Sequence, residues 1–310
     1  MFSLLSKWLS FVRFSHTVFA LPFALAAMVI AARDHRGWPG WRTFLLILAA
    51  MICARTCAMA FNRIVDRKFD AANPRTANRH LPAGQISPAG AWTFWAVSAA
   101  GLVAVSWFIN TLCFVLSPVA LFIVCFYSLT KRFTDYTHVF LGIALALAPI
   151  GAWMAVTGSF SFWPARCAED HLPLQHSAFL PLLLAVIVVF WLTGFDIIYA
   201  LQDCEFDRKH GLHSLVVAWG PKNALQAAFL AHMLMCGLLL VLGLLCRFRI
   251  AYLAGWFIIV GCLVLEHWIA RRRSLNWINT AFFRLNAVIS LVFLIVTVAE
   301  VLFKGGFKLR

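Results

Sequence analysis

The stretch "TFLLILAAMICARTCAMAFNRIVDRKFD", residues 43 to 70, decides how this chain is read. Most of it is apolar or small, interrupted by Arg55, and it then turns polar at Asn62, Asp66 and Asp70. A helix needs roughly 20 apolar residues to cross a hydrocarbon core, and this run has that length. Two carboxylates and an amide at the end of such a helix are either interfacial residues or part of a site.

The whole chain supports the membrane reading. It has 310 residues, of which 63% are hydrophobic and 12% charged, and its mean hydropathy is +0.85. These values exclude an ordinary soluble domain. Long apolar runs at about 15 to 32, 43 to 63, 91 to 110, 112 to 130, 137 to 157, 178 to 200, 224 to 246, 250 to 269 and 281 to 303 predict nine spans. Backbone groups cannot stay unpaired in lipid, and the runs are too long and too evenly apolar for barrel strands. The expected fold is therefore all-α, a polytopic bundle of nine transmembrane helices forming a single domain over residues 1 to 310.

Nine crossings put the termini on opposite sides. One side collects Lys7, Arg13, Arg67, Lys68, Arg75, Arg79, Lys131, Arg132, Arg208, Lys209, Lys222 and Arg271 to Arg273. The other holds Arg33, Arg36, Arg42, Arg166, Arg247, Arg249, Lys304, Lys308 and Arg310. Positive charge favours the first side as cytoplasmic, with the N-terminus there and the first helix uncleaved. A bacterial cytoplasmic (inner) membrane is the expected location. The net charge of +14 is spread over short loops and forms no single face, so nucleic acid is not expected as a partner. The nine cysteines mostly sit inside apolar runs and read as small core residues.

A second acidic run, "DIIYALQDCEFD" at residues 196 to 207, also follows an apolar segment. Asp66 to Asp203 and Asp70 to Asp207 are equal intervals, and four predicted spans lie between the two motifs. An even number of crossings returns the chain to the same face. On a continuous helix Asn62, Asp66 and Asp70 fall within about 80° of one another, with Arg55 about two turns deeper and within about 20° of Asn62. Asp196, Asp203 and Asp207 fall within about 40° if their helix continues.

Two acidic stripes meeting at one face put at least four carboxylates in a shared pocket, which needs cations to remain ionised. Oxygen ligands from Asp and Asn favour a hard divalent ion, and Mg²⁺ leaves coordination positions for phosphate oxygens. Arg75, Arg79, Lys131, Arg208 and Lys209 beside the stripes suit a diphosphate. Metal and diphosphate at a membrane mouth imply a lipid-tailed substrate. Arg55, costly at its depth, should face a cavity or an anion.

Other polar groups carry weaker signals. "YSLTKR" places Tyr127 and Lys131 at i, i+4, a pattern a snorkelling lysine also produces. "RRR" at 271 to 273 reads as an anchor, and His210 and His213 are too few for zinc. Glu266, His267, Arg284, Asn286 and Glu300 lie near span ends, where a structural role is expected.

Taken together, these residues resemble the UbiA superfamily of intramembrane aromatic prenyltransferases. The signatures are Asn62-x-x-x-Asp66-x-x-x-Asp70 with "RTANRHLPAG", the run "DIIYALQDCEFD", and "YSLTK" between them. The resemblance implies two Mg²⁺ ions on Asn62, Asp66, Asp70, Asp203 and Asp207, holding a polyprenyl diphosphate. It implies that Arg55 binds the carboxylate of a small aromatic acceptor, and that Arg79, Lys131 and Tyr127 contact or position the diphosphate, with Arg75 expected as a substrate-binding residue from its place beside the first stripe. Asp196 is the expected group for orienting or deprotonating the acceptor.

The form of the second motif resembles the 4-hydroxybenzoate polyprenyltransferases of quinone biosynthesis. The first helix differs, carrying His16 and Thr17 in "RFSHTVFALPFA" where those enzymes usually have a Lys-Pro pair. A hydroxynaphthoate acceptor, for menaquinone, is the rival within the same chemistry. From another class, a cation-coupled transporter would spread its acids near the midplane, and a nucleotide-linked phosphotransferase would carry an Asp-Gly before its acidic motif.

Overall fold

The structure, a computed structural model, describes residues 2–13, 17–162, 177–272 and 275–303. His16, Arg166, Arg273, Lys304, Lys308 and Arg310, with most of the expected outer loop, lie outside the described residues. Among the described residues there are helices and no strands. They are α1 Phe2–Phe11, α2 Thr17–Ala31, α3 Trp41–Val65, α4 Arg67–Ala72, α5 Pro88–Ile109 and α6 Thr111–Phe126, then α7 Thr137–Thr157, α8 Phe179–Ala200, α9 Cys204–Lys209, α10 Leu215–Leu245, α11 Ile250–Arg272 and α12 Leu275–Leu302. Eight of these elements are long and apolar enough to cross a membrane, and α2 is a shorter apolar helix. A polytopic all-α membrane protein is what the apolar runs predicted.

Local chemistry sets the boundaries. Ser87 accepts from Gly90 N–H at 3.1 Å with Pro88 next to it, which starts α5. Asn110 and Ser214 cap α6 and α10 in the same way. The seventh predicted run was placed from about 224, whereas α10 begins at Leu215. The difference lies at Gly220-Pro221, where Gly220 has φ 76° and leaves a short turn ahead of the long helix.

The core lies where α2, α7, α8 and α12 meet, around Phe19, Phe23, Trp191 and Phe293. In α8 61% of the apolar window is buried, against 17% in α5, so α8 is central and α5 faces outward. Trp107, Phe108, Phe122, Leu244 and Phe257 project from the bundle, as lipid-facing side chains do. The bundle's buried polar groups pair across helices. Trp191 Nε1 donates to Asn286 at 2.8 Å, Asn286 to Glu266 at 3.3 Å, His232 meets His267 at 2.9 Å, and Glu300 accepts from Tyr252 N–H at 3.1 Å. Such bonds tie α8, α10, α11 and α12 together where lipid offers no competing partner.

The α7–α8 contact is especially close. A Cβ at Gly142 would lie 2.9 Å from the Val189 carbonyl oxygen and 3.0 Å from its Cα. Gly142→Ala should therefore push the helices apart and cost about 1–3 kcal/mol, read as a lower unfolding temperature in detergent. Gly237→Ala, where nothing lies within 4 Å, should leave that temperature unchanged.

Candidate active site

The first motif does not sit on one continuous helix, as its spacing had suggested. α3 stops at Val65, Asp66 takes φ −89° and ψ 3°, and α4 begins at Arg67. Arg132 Nη2 donates to the exposed Val65 carbonyl at 2.7 Å, satisfying the broken helix end. Asn62 Nδ2 donates to Asp66 Oδ2 at 2.9 Å, and Arg132 lies 3.6 Å from Asp66 Oδ1. Asp70, carried round by the break, is buried and held by Arg79 Nη1 at 2.6 Å, with Arg63 3.9 Å away.

The second motif tightens in the same manner. α8 gives way to a 3₁₀ turn, Leu201–Asp203, before α9. Asp203 is gripped by the opposite motif's loop: Arg75 Nε and Nη2 meet its two oxygens at 2.9 and 2.5 Å, and Asn73 Nδ2 adds a bond of 3.2 Å. Arg75 also reaches the Tyr199 hydroxyl at 3.1 Å. Asp207 receives Lys131 Nζ at 3.2 Å. That lysine sits in a 3₁₀ segment, Tyr127–Arg132, instead of the α-helical i, i+4 arrangement expected.

Each of the four motif aspartates is thus held by a basic side chain. Burial, followed by the nearby Asp70 carboxylate, pushes the Asp66 carboxyl up to about 6, against the opposing pull of Lys131 and Arg132. Burial lowers the Arg75 guanidinium, but its bonds to Asp203 outweigh this and leave it above its ordinary value.

Both motifs line one cavity of about 280 Å³, together with Arg55, Tyr127, Lys131 and Asp196. An apolar chamber of about 370 Å³ adjoins it, walled by α2, α3, α5, α6 and α7. Arg55, Tyr127 and Leu145 line both spaces and mark where they meet. Among the described residues Arg55 makes no ion pair, and its Nε is buried without a hydrogen-bond partner. Asp196 Oδ2 accepts from His138 Nδ1 at 2.6 Å.

The shared pocket expected for at least four carboxylates is present, lined by Asp66, Asp70, Asp203 and Asp207. Among the described residues no three His, Cys, Asp or Glu side chains are close enough to hold a metal by themselves. The two motifs stand on different helices, Asp66 and Asp70 following α3 and Asp203 and Asp207 following α8. A hard ion with few protein ligands still fits: the donors are carboxylate and amide oxygens, and Asp70 Oδ2 is buried with no hydrogen-bond partner.

Asn73, Tyr199, Arg132 and His138 escaped the sequence reading. Asn73 and Arg132 adjoin residues already singled out, so proximity to "NPR" and "YSLTKR" was a usable signal. His138 carried none, because a lone histidine at the start of an apolar span looks like any interfacial residue.

Comparison with known proteins bears on this geometry. The profile of the UbiA prenyltransferase family matches residues 20–288. A 4-hydroxybenzoate octaprenyltransferase of Paraburkholderia phytofirmans is 28% identical over 299 residues, 91% of this chain and 96% of that protein. One from Burkholderia lata is 30% identical over 256 residues, 81% of this chain and 80% of that protein. Among solved structures, a UbiA homolog from Aeropyrum pernix K1 superposes with a TM-score of 0.77 at 28% identity, covering 92% of this chain and 98% of that one. A UbiA homolog from Archaeoglobus fulgidus bound to GPP and Mg²⁺ shares the fold, with a TM-score of 0.70 at 21% identity over 95% of this chain and 99% of that one. A match extending from α2 into α12, on a bundle of the same shape, makes this chain a member of the UbiA prenyltransferase family.

Proposed function

We propose that the protein transfers a polyprenyl group from polyprenyl diphosphate to the ring of 4-hydroxybenzoate, a step of quinone biosynthesis, with Mg²⁺ as cofactor. The observation that carries this is the adjacency of two spaces: a cavity walled by cation-paired aspartates lies against an apolar chamber, with Arg55, Tyr127 and Leu145 lining both. The first suits a diphosphate and the second its tail. The octaprenyltransferase relatives supply the acceptor.

Asn62, Asp66 and Asp70 on one wall and Asp203 and Asp207 on the other would hold Mg²⁺, with diphosphate oxygens completing its shell. When bound, Mg²⁺ would neutralise charge growing on the leaving diphosphate. Arg75, Arg79 and Lys131, now on carboxylates, are the donors available to phosphate oxygens. Tyr127 sits at the junction, where the C–O bond breaks. Apolar walls shield the allylic cation from water until the ring's electron pair attacks and a C–C bond forms. Arg55 binds the acceptor's carboxylate, and Asp196 orients the ring or takes up the proton it releases.

The chain is a multi-pass membrane protein, and we place it in the bacterial inner membrane, surrounded by lipid, with the N-terminus and the cavity mouth on the cytoplasmic side. An N-terminal tag should resist protease in intact spheroplasts and be cut in inverted vesicles; the reverse pattern would overturn the orientation.

Membranes supplied with polyprenyl diphosphate, Mg²⁺ and 4-hydroxybenzoate should form the prenylated acid. Asp66→Ala or EDTA should lower turnover by at least about 10²-fold. Prenylation that survives both would falsify the mechanism. Arg55→Leu should raise KM for the acceptor while leaving KM for the diphosphate unchanged. Ala148→Trp, filling the chamber that Ala148 lines, should shift preference toward shorter diphosphates, and an unchanged chain-length profile would exclude the chamber as the tail's site.

A further inference from the structure

We infer that His138 is a positioning residue for the acceptor site: its Nδ1–H holds Oδ2 of Asp196 and leaves Oδ1 for the cavity. This rests on the role proposed above for Asp196.

α7 presents Thr137, Leu141 and Leu145 to the cavity, and His138 is not among the lining residues. Its side chain is fully buried, at 0% accessibility. It therefore reaches the substrate only through α8. An ionised carboxylate can only accept, so Nδ1 carries the proton of the 2.6 Å bond. Nε2 is buried with no partner, which makes Asp196 the polar contact of this ring among the described residues.

Helix packing does not account for the imidazole. One turn along α7, Gly142 already brings the two helices to contact distance at Val189. A buried polar ring with one unsatisfied nitrogen is a costly way to fill that space. What it does supply is restraint. The Asp196 side chain is 22% exposed on the cavity wall, and it lies within electrostatic reach of Lys131, which is itself bonded to Asp207. Unrestrained, the carboxylate would swing toward the ammonium. Held by His138, it remains aimed at the acceptor, as a base oriented by a third group is in nucleophilic sites.

The test compares substitutions at His138 and Asp196 by steady-state kinetics in membranes. His138→Phe keeps ring bulk and removes the donor; kcat for aromatic prenylation should fall about 10²-fold, with KM for the prenyl diphosphate unchanged. His138→Asn, whose amide nitrogen can stand near the place of Nδ1, should recover most of that loss. If His138→Phe does not accumulate, His138→Met offers the same comparison with a more adaptable side chain. In an Asp196→Ala background, removing the donor should have no further effect. A kcat close to the parent's for the donor-free variant, or equal losses with and without the donor, overturns the inference while Asp196→Ala remains impaired. A parental kcat in Asp196→Ala overturns the reading of Asp196, and this inference with it.

Discussion

Four carboxylates at the mouth of a membrane bundle repel one another, and the arrangement here depends on the basic groups that hold them. The Arg75–Asp203 pair matters most, because it joins the loop after α4 to the turn after α8 with two parallel bonds. Asn73 strengthens the same joint. The pair is only partly buried, with the Arg75 side chain 28% exposed, so losing one partner costs less than the about 3–5 kcal/mol of a fully buried pair. The two halves of the site are therefore locked in register by the charges the proposed chemistry uses. On that proposal, a diphosphate and its metal exchange one set of ionic contacts for another without leaving any carboxylate bare.

Depth separates the tasks. The acidic pairs gather at one end of the bundle, whereas Arg55 and Tyr127 mark the boundary with the apolar chamber. A guanidinium at that boundary is expensive unless an anion meets it. Its buried, unpartnered Nε is consistent with a group held ready for a carboxylate. On the proposed reading, such a division lets one substrate be recognised by charge and its tail by burial alone.

Much of this was legible in the chain. The count and position of apolar runs gave the bundle, because hydrocarbon thickness and backbone pairing leave few other solutions. Equal intervals between aspartates, with an even number of crossings, put both motifs at one face. The reading failed where it assumed helices that continue. Asp66 and Asp203 sit at helix breaks, and a break depends on distant partners: Arg132 takes the freed Val65 carbonyl from sixty-seven positions away in sequence. The start of α10 was displaced for a local reason, the left-handed turn at Gly220.

The sequence by itself therefore determined the architecture, the residue types of the site and the face on which they meet, since all three follow from periodicity and hydropathy. Tertiary structure alone decided which charge holds which. It set Arg75 on Asp203 instead of leaving it free in its loop, and brought His138 behind Asp196. Pairings of this kind depend on distances of a few ångströms between helices remote in sequence, and no periodicity along one chain encodes them.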